Sequence, residues 1–343
     1  MKIFLTGSSG KQCNLAKLHN RKIFDAQNMS TAMKTFADVD FALATKDANI
    51  EQYDYVVSGF GSIGSFNYPF VLQALYAVGK AKKPIVYLED WRCPTAIAKG
   101  LRTCYEKGYD NFLKTVYNKT LSTGDRFYRN IEQSRIDPET VWLGIEKIIA
   151  HPEDCHFIFL GFNWGNKQIV ADILRTKVEN LLWFEETPYL IEQLNMQDIP
   201  YDGNRAKKFF YCGLTNQDRW LKKSGIFELT DCFGPSPYEK IPSESLVIKK
   251  HSEYLGIAIP EYEHAGSGWL RFRYTFGAMS KNVFYVCEKD ANALGITSVK
   301  SFDDYSAAEL EEIAMSTYKT IMKWTPTKEE SHAQLKKQFE AIV

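Results

Sequence analysis

The sequence predicts an α/β protein of two parallel-sheet halves that close on a cleft. Three observations predict it. A strand, a helix and a second strand follow one another across residues 53–88, within the length of one βαβ unit. The same alternation starts afresh at Lys208-Phe-Phe-Tyr-Cys-Gly213. Between the halves, residues 187–206 gather proline, glycine and polar side chains, the composition of a linker. A chain of 343 residues is also too long for one small core, so about two domains is the natural expectation.

In chain order, Met1-Lys-Ile-Phe-Leu-Thr-Gly7 reads as a buried strand ending in a glycine turn. Tyr53-Asp-Tyr-Val-Val-Ser-Gly59 is the next strand and residues 84–88 another. The intervening segment 68–81 is apolar at helical spacing with Pro69 in its first turn. Residues 99–150 read as mainly helical, with turns at Gly108 and Gly124 and a helix start at Asp137-Pro-Glu139. A strand at 156–161, a helix at 167–178 and a strand at 181–184 resume the pattern. The second half contains the apolar run 245–248, the glycine-rich Ala265-Gly-Ser-Gly268, a helix at about 269–281 and a strand at 283–286. An acidic helix at 306–323 follows, and after Trp324-Thr-Pro-Thr327 a separate short helix at 329–343 is free to cross back.

Composition narrows the classes. Hydrophobic residues make up 45% and charged residues 24%, which suits a soluble globular protein. The formal net charge is zero, so any phosphate-binding surface is a local patch. No apolar run approaches the roughly 18 residues of a membrane span, and the amino terminus lacks a signal-peptide pattern. The seven cysteines form no CxxC pair and no zinc-spaced cluster with histidine, which predicts free thiols in a reducing cytoplasm.

The chemistry concentrates at the ends of strands. Ile85-Val-Tyr-Leu stops abruptly at Glu89 and Asp90, with Arg92 two positions on and Pro94 closing the turn. In an open α/β sheet, ligands bind outside the carboxyl ends of the strands. A carboxylate there can accept a proton, and a neighbouring guanidinium keeps it ionised. Gly7-Ser-Ser-Gly10-Lys11 is not a phosphate loop: the Walker pattern needs four residues between its glycines and Ser or Thr after the Lys. Ser58-Gly-Phe-Gly-Ser-Ile-Gly64 joins a strand to a helix, where glycines admit close approach of a ligand and a helix amino terminus favours an anion. In the second half, Gly213-Leu-Thr-Asn-Gln-Asp-Arg219 offers a diphosphate cradle, and Arg271 and Arg273 lie just past the 266–268 glycines. The bland alternatives are an ordinary βα loop and surface salt bridges. The six histidines show no metal spacing, and no G-x-S-x-G elbow is present.

Together these residues resemble the phage DNA β-glucosyltransferase family, which glycosylates 5-hydroxymethylcytosine in duplex DNA. Tyr53-Asp-Tyr-Val-Val-Ser58, then Ser62-Ile63, the helix after them and Val86-Tyr-Leu-Glu-Asp90-Trp-Arg92-Cys-Pro94 follow that family's run through its D-x-R-x-P loop. Tyr211-Cys-Gly213 through Arg219 resembles its donor-diphosphate loop, and Arg273 with Ala278-Met-Ser280 resembles the stretch carrying its second phosphate-binding arginine. The chain departs from the family at several places. A polar residue near Asn216 replaces one arginine, Phe276 stands where the family has a donor-ribose Glu, and the family's amino-terminal Glu has no clear match.

The resemblance implies a GT-B fold: two facing Rossmann-like domains with a deep cleft between them and a C-terminal helix crossing back. Residues 1–187 plus 329–343 would form the acceptor and DNA-binding domain, and 188–328 the donor-binding domain. It implies an inverting glycosyltransferase that moves a sugar from a UDP-linked donor to a hydroxymethylated base in double-stranded DNA. Asp90 would be the general base. Gly213, Thr215, Asn216, Arg219, Gly268, Arg271 and Arg273 would hold the donor, and Ser62, Trp91 and Arg92 the acceptor. The expected protein is a monomer of the host cytoplasm with no tightly bound cofactor; Mg2+ or Mn2+ assisting diphosphate departure stays open, with no dedicated ligand set visible. Basic residues in sequence around the Asp90 loop, Lys82, Lys83, Lys99 and Arg102 among them, are the expected DNA contacts. Another sugar such as arabinose, a glycan or small-molecule acceptor, and a non-enzymatic ligand-binding clamp remain as alternatives.

Overall fold

The structure is a computed structural model that describes residues 1–6, 24–41, 48–59, 69–88, 93–117, 136–161, 166–212, 218–233, 244–261, 265–268 and 272–342. It divides into two compact units. Unit 1 comprises Met1–Leu160, Val170–Glu186 and Glu329–Val343; unit 2 comprises Gly161–Ile169 and Thr187–Lys328.

Unit 1 is built on a six-stranded sheet: β1 (Lys2–Thr6), β2 (Asp38–Phe41), β3 (Tyr55–Gly59), β4 (Pro84–Leu88), β5 (His156–Leu160) and β6 (Leu181–Phe184). The order is β2-β1-β3-β4-β5-β6, and every pairing is parallel. Parallel strands covered on both faces read as unbroken apolar runs. Ile85, Val86, Tyr87 and Leu88 of β4 are accordingly all fully buried.

One face of the sheet is covered by the helices Pro69–Lys80 and Pro138–Ile149, which touch backbone to backbone. A Cβ added to Gly79 would lie 2.1 Å from the carbonyl oxygen of Thr140, and one added to Gly144 would lie 2.0 Å from that of Leu75. The two glycines are what lets the helices close. Asp137 caps the second helix by accepting from the amides of Glu139 and Thr140 at 3.2 and 3.1 Å, with Pro138 following as the first helical residue. Hydrogen bonds from the Thr140 hydroxyl and these amides hold the Asp137 carboxyl below its ordinary pKa. Lys147 reaches the carboxyl end of the first helix and donates to the carbonyls of Gly79 and Ala81 at 2.8 Å each.

The last helix, Lys328–Ala341, belongs to unit 1 from Glu329 onward. Phe339 is fully buried against Tyr55 and Phe36, with ring centroids 5.6 and 5.7 Å away. Ser331 donates to the carbonyl of Glu185 at 2.7 Å, and the Gln338 side chain engages the backbone of Trp183 in β6.

Unit 2 has a four-stranded parallel sheet: β7 (Ala206–Cys212), β8 (Thr230–Phe233), β9 (Tyr254–Ala258) and β10 (Val283–Tyr285), in the order β10-β9-β7-β8. Phe209, Phe210, Tyr211, Leu255 and Phe284 form its core with the helix Ala307–Lys323. Ser306 and Glu309 start that helix as a reciprocal capping box.

The structure corrects the sequence reading of 187–206. The segment is packed into unit 2 rather than strung as a linker: Thr187–Gln193 is helical, and Tyr189, Met196 and Arg205 are buried. Arg205 donates to the carbonyls of Pro200, His251 and Ser280, which replace the water a buried guanidinium gives up. The apolar run 245–248 lies inside the helix Glu244–Glu253, and strands β2, β8 and β9 were not anticipated.

Candidate active site

In each sheet the strand order reverses direction at one place. In unit 1 that switch point lies between β1 and β3, and in unit 2 between β7 and β9. The crevice outside the carboxyl ends of such strands is where open α/β sheets bind ligands, because the two following loops leave in opposite directions. Residues 7–11 follow Thr6 of β1, residues 60–64 follow Gly59 of β3, and Glu89 follows Leu88 of neighbouring β4. The three chemistry-bearing segments of the first half therefore spring from one edge of one sheet. In unit 2, residues 213–217 follow Cys212 of β7, and the stretch containing Gly268 and Arg271 follows Ala258 of β9.

Of the predicted site residues, Ser62, Asp90, Trp91, Arg92, Gly213, Thr215, Asn216 and Arg271 lie outside the described residues. Arg219 is the second residue of the helix Asp218–Ser224 and Arg273 the second residue of the helix Phe272–Met279. Gly266 and Gly268 both have φ of +83°, a conformation that glycine adopts without strain. Asp290 holds the turn by accepting from the Gly266 amide at 2.8 Å, and burial raises the pKa of that carboxyl. Arg273 is close enough to Cys212 to oppose the effect of burial on that thiol, so a guanidinium stands near the carboxyl end of β7. An amide-rich helix start and an arginine beside the switch point make an anion-favouring corner.

Phe276 is 3% exposed and packs with Met196 and Met279, so the position that carries a ribose-binding Glu in the family is core here. Lys82 and Lys83 precede Pro84, the first residue of β4, and so sit at the amino edge of the sheet. A five-residue strand, about 16 Å long, separates them from the Asp90 loop. Lys99 is exposed within a π-helical turn, Ile97–Leu101, and Arg102 opens the helix that follows. Sequence reasoning passed over Lys167. It lies on the segment after β5, and burial lowers its ammonium to about 8. Its place after a strand's carboxyl end was the available signal.

Among the described residues, the grouping with metal-ligand reach is His151, Glu153 and Asp154, all exposed. It precedes β5 at the amino edge of the unit 1 sheet, the edge opposite the carboxyl ends from which the candidate site segments of that sheet continue. Cys104, Cys155, Cys212, Cys232 and Cys287 are free; burial pushes Cys104 up to about 11 and Cys155 and Cys287 up to about 12, which makes those three poor nucleophiles. No helix among the described residues is long and apolar enough to cross a membrane.

No family model matches the chain, and no curated protein matches it in sequence. Solved structures do match. The T4 phage β-glucosyltransferase in complex with UDP and Mn2+ aligns with a TM-score of 0.56 at 15% identity, covering 98% of this chain and 99% of that one. The T4 phage enzyme with its UDP-glucose substrate gives 0.55 at 14% identity and the same coverage. The chain has their GT-B fold. A third structure, described as the DNA modifying enzyme β-glucosyltransferase in the presence and absence of uridine diphosphoglucose, gives 0.52 at 13% identity. The GT-B likeness runs the whole length of the chain, both sheets and the returning last helix included.

Proposed function

We propose that the protein is an inverting glycosyltransferase that moves a sugar from a UDP-linked donor to the hydroxymethyl group of a modified base in DNA. The observation that carries this reading is topological. The segments marked out by the sequence follow the strands that flank the switch points of both sheets, or in the case of Asp90 the next strand, β4, within a GT-B fold shared over 98% of the chain with a T4 phage β-glucosyltransferase.

In this reading unit 1 holds the acceptor and unit 2 the donor. The target nucleotide leaves the duplex stack, at a cost of a few kcal/mol, so that its hydroxymethyl group reaches the donor. Asp90 takes the hydroxyl proton as that oxygen attacks the anomeric carbon. Arg219 and Arg273, with Arg271 and the backbone around Gly213, Thr215, Asn216 and Gly268, neutralise the charge that grows on the departing diphosphate. One displacement inverts the anomeric centre. Ser62, Trp91 and Arg92 belong to the acceptor side.

Phe276 bears on the nucleotide half of the donor. An apolar residue packed with Met196 and Met279 offers no carboxylate to the donor's ribose, so that ribose is held differently here, and the transferred sugar stays open between glucose and another sugar such as arabinose. The test is direct. The full chain is incubated with hydroxymethylated duplex DNA and a panel of sugar nucleotides, and the digested nucleosides are weighed. A modified nucleoside heavier by one hexose or one pentose supports the reading and names the sugar. No mass gain with any donor, from folded protein, would overturn it.

A further inference from the structure

Asp290 and Gly266 tie two segments of unit 2 together at the carboxyl side of its sheet. Asp290 stands in the first turn of the helix Glu288–Leu294, which follows β10. Gly266 lies in the stretch between β9 and the helix Phe272–Met279. The Gly266 amide donates to the Asp290 carboxylate at 2.8 Å. The turn rests directly on the helix that carries Asp290: a Cβ at Gly266 would stand 3.4 Å from the Cβ of Lys289, and φ of +83° is one that side chains rarely adopt. On either side of it Ala265, Ser267 and Gly268 are buried.

Holding one amide needs no charge, and burying a carboxylate opposes folding. Burial raises the pKa of Asp290, against the pull of the Gly266 amide and the Cys287 thiol, and Glu261 just past β9 repels the charge further. What the charge adds is a hydrogen bond about twice as strong as a neutral one. The position therefore gives up stability for a firmer turn, a trade that marks a place shaped by function. Arg271 and Arg273, the guanidiniums assigned to the diphosphate, follow that turn in the chain, and Arg273 stands near the Cys212 thiol at the carboxyl end of β7. The stretch from Ala258 to Phe272 would lose conformational freedom on meeting a ligand. An anchor inside it takes up part of that loss during folding, so charge is already in place when the donor arrives.

We propose that Asp290 is a positioning residue for the donor diphosphate, fixing through Gly266 the segment that presents Gly268, Arg271 and Arg273. Its carboxylate touches no substrate. The inference rests on the sugar-nucleotide reading and adds to it the group that holds the arginine-bearing segment ready.

The test compares the full chain with Asp290→Ala, Asp290→Asn, Gly266→Ala and the double variant of Gly266→Ala with Asp290→Ala. Binding of UDP and of uridine is titrated, a melting curve confirms that each variant is folded, and sugar transfer to hydroxymethylated DNA is followed alongside. Expected is a roughly tenfold weaker UDP affinity in Asp290→Ala, with uridine affinity unchanged. Asp290→Asn, whose side-chain oxygen still accepts from Gly266, stays within about threefold of the parent. Gly266→Ala weakens UDP as Asp290→Ala does, and the double variant binds no worse than the poorer single one, because both act through one turn. Parental UDP affinity in folded Asp290→Ala, or an equal loss for UDP and uridine, would overturn the assignment while leaving the transfer reading intact. An Asp290→Asn protein as weak as Asp290→Ala would overturn it too, since the hydrogen bond would then not be the cause. Should Asp290→Ala fail to fold, Gly266→Ala carries the same comparison of UDP with uridine. If the unsubstituted chain neither binds UDP nor transfers a sugar, the functional reading fails first and this inference with it.

Discussion

Gln338 closes the free edge of β6 by pairing with Trp183 as a strand would. Its side-chain oxygen accepts from the Trp183 amide at 2.9 Å, and its side-chain nitrogen donates to the Trp183 carbonyl at 2.8 Å. An open edge strand invites pairing with another chain, and one glutamine on a covering helix blunts it. Gln338→Leu should leave both backbone groups unpaired and cost about 1–3 kcal/mol. Gln338→Glu should cost at least as much, because it sets a carboxylate against the Trp183 carbonyl. Thermal unfolding of both variants checks the claim, which fails if Gln338→Leu melts with the parent.

The glycine contact between helices Pro69–Lys80 and Pro138–Ile149 sets a second expectation. A methyl group at position 144 would meet a backbone carbonyl, which cannot swing aside as a side chain can. Gly144→Ala should destabilise unit 1 by at least about 1–3 kcal/mol, despite the better helix propensity of alanine. Adding Gly79→Ala should cost less than the sum of the two, since one separation of the helices accommodates both. Denaturant melts of the single and double variants measure this.

His251 predicts a pH dependence. It is buried in unit 2, its Nδ1 lies 2.9 Å from the Asn282 side-chain oxygen, and the Asn282 amide nitrogen donates to the carbonyls of His251 and Tyr254. The asparagine oxygen is thus the accepting end, so Nδ1 carries the proton of the neutral ring. Burial, with Arg273 and Arg205 nearby, lowers the imidazole from 6.5 to about 4. The unfolded chain then binds more protons than the folded one between those values. Stability should be full above pH 6.5 and fall as pH drops toward 4, by roughly 3 kcal/mol in total. His251→Gln should flatten that part of the profile, and an unaltered profile would remove His251 as its source.

Asp90→Ala should lower kcat by roughly 10²–10⁴-fold while leaving donor binding and the circular dichroism spectrum unchanged. Near-parental turnover in a folded Asp90→Ala protein would remove this residue from the chemistry.

Arg273→Ala should lower turnover by about a hundredfold or more if it neutralises the leaving diphosphate. The substitution has a readout independent of catalysis. Arg273 pulls against the raised pKa of Cys212, so its removal should push that thiol higher still and slow its alkylation at a given pH. Unchanged alkylation would place the guanidinium elsewhere.

What the sequence disclosed follows from what burial does to composition. β4 was legible because a strand covered on both faces is an unbroken apolar run, and Asp137-Pro138 because capping needs those residue types. The edge strands rich in polar residues were not. β2 reads Asp-Val-Asp-Phe, and β8 includes Asp231, which binds Lys208 at 2.9 Å and the Tyr254 hydroxyl at 2.8 Å. β9 carries Gly256, where a Cβ would meet the Phe209 ring at 2.5 Å, so its glycine serves packing rather than a turn. The stretch 187–206 misled for a related reason. Arg205 is satisfied by backbone carbonyls, and no composition rule reports carbonyls. At the site, the strands that aim the loops could be read in advance. The tie between Asp290 and Gly266 could not, since only the fold brings the two together.

The chain passes from one unit to the other at 160/161, 169/170, 186/187 and 328/329. During synthesis, therefore, the amino-terminal sheet cannot finish when its own first 160 residues emerge. It waits for β6, and then for a helix made some 140 residues later, after the whole of the second unit. A cut at 186/187 keeps all four strands of the second sheet together but parts the last helix from the six-stranded sheet it covers. A separable first unit would need residues 329–342 grafted after 186 by a new loop, because its last covering helix is encoded beyond the whole of the second unit.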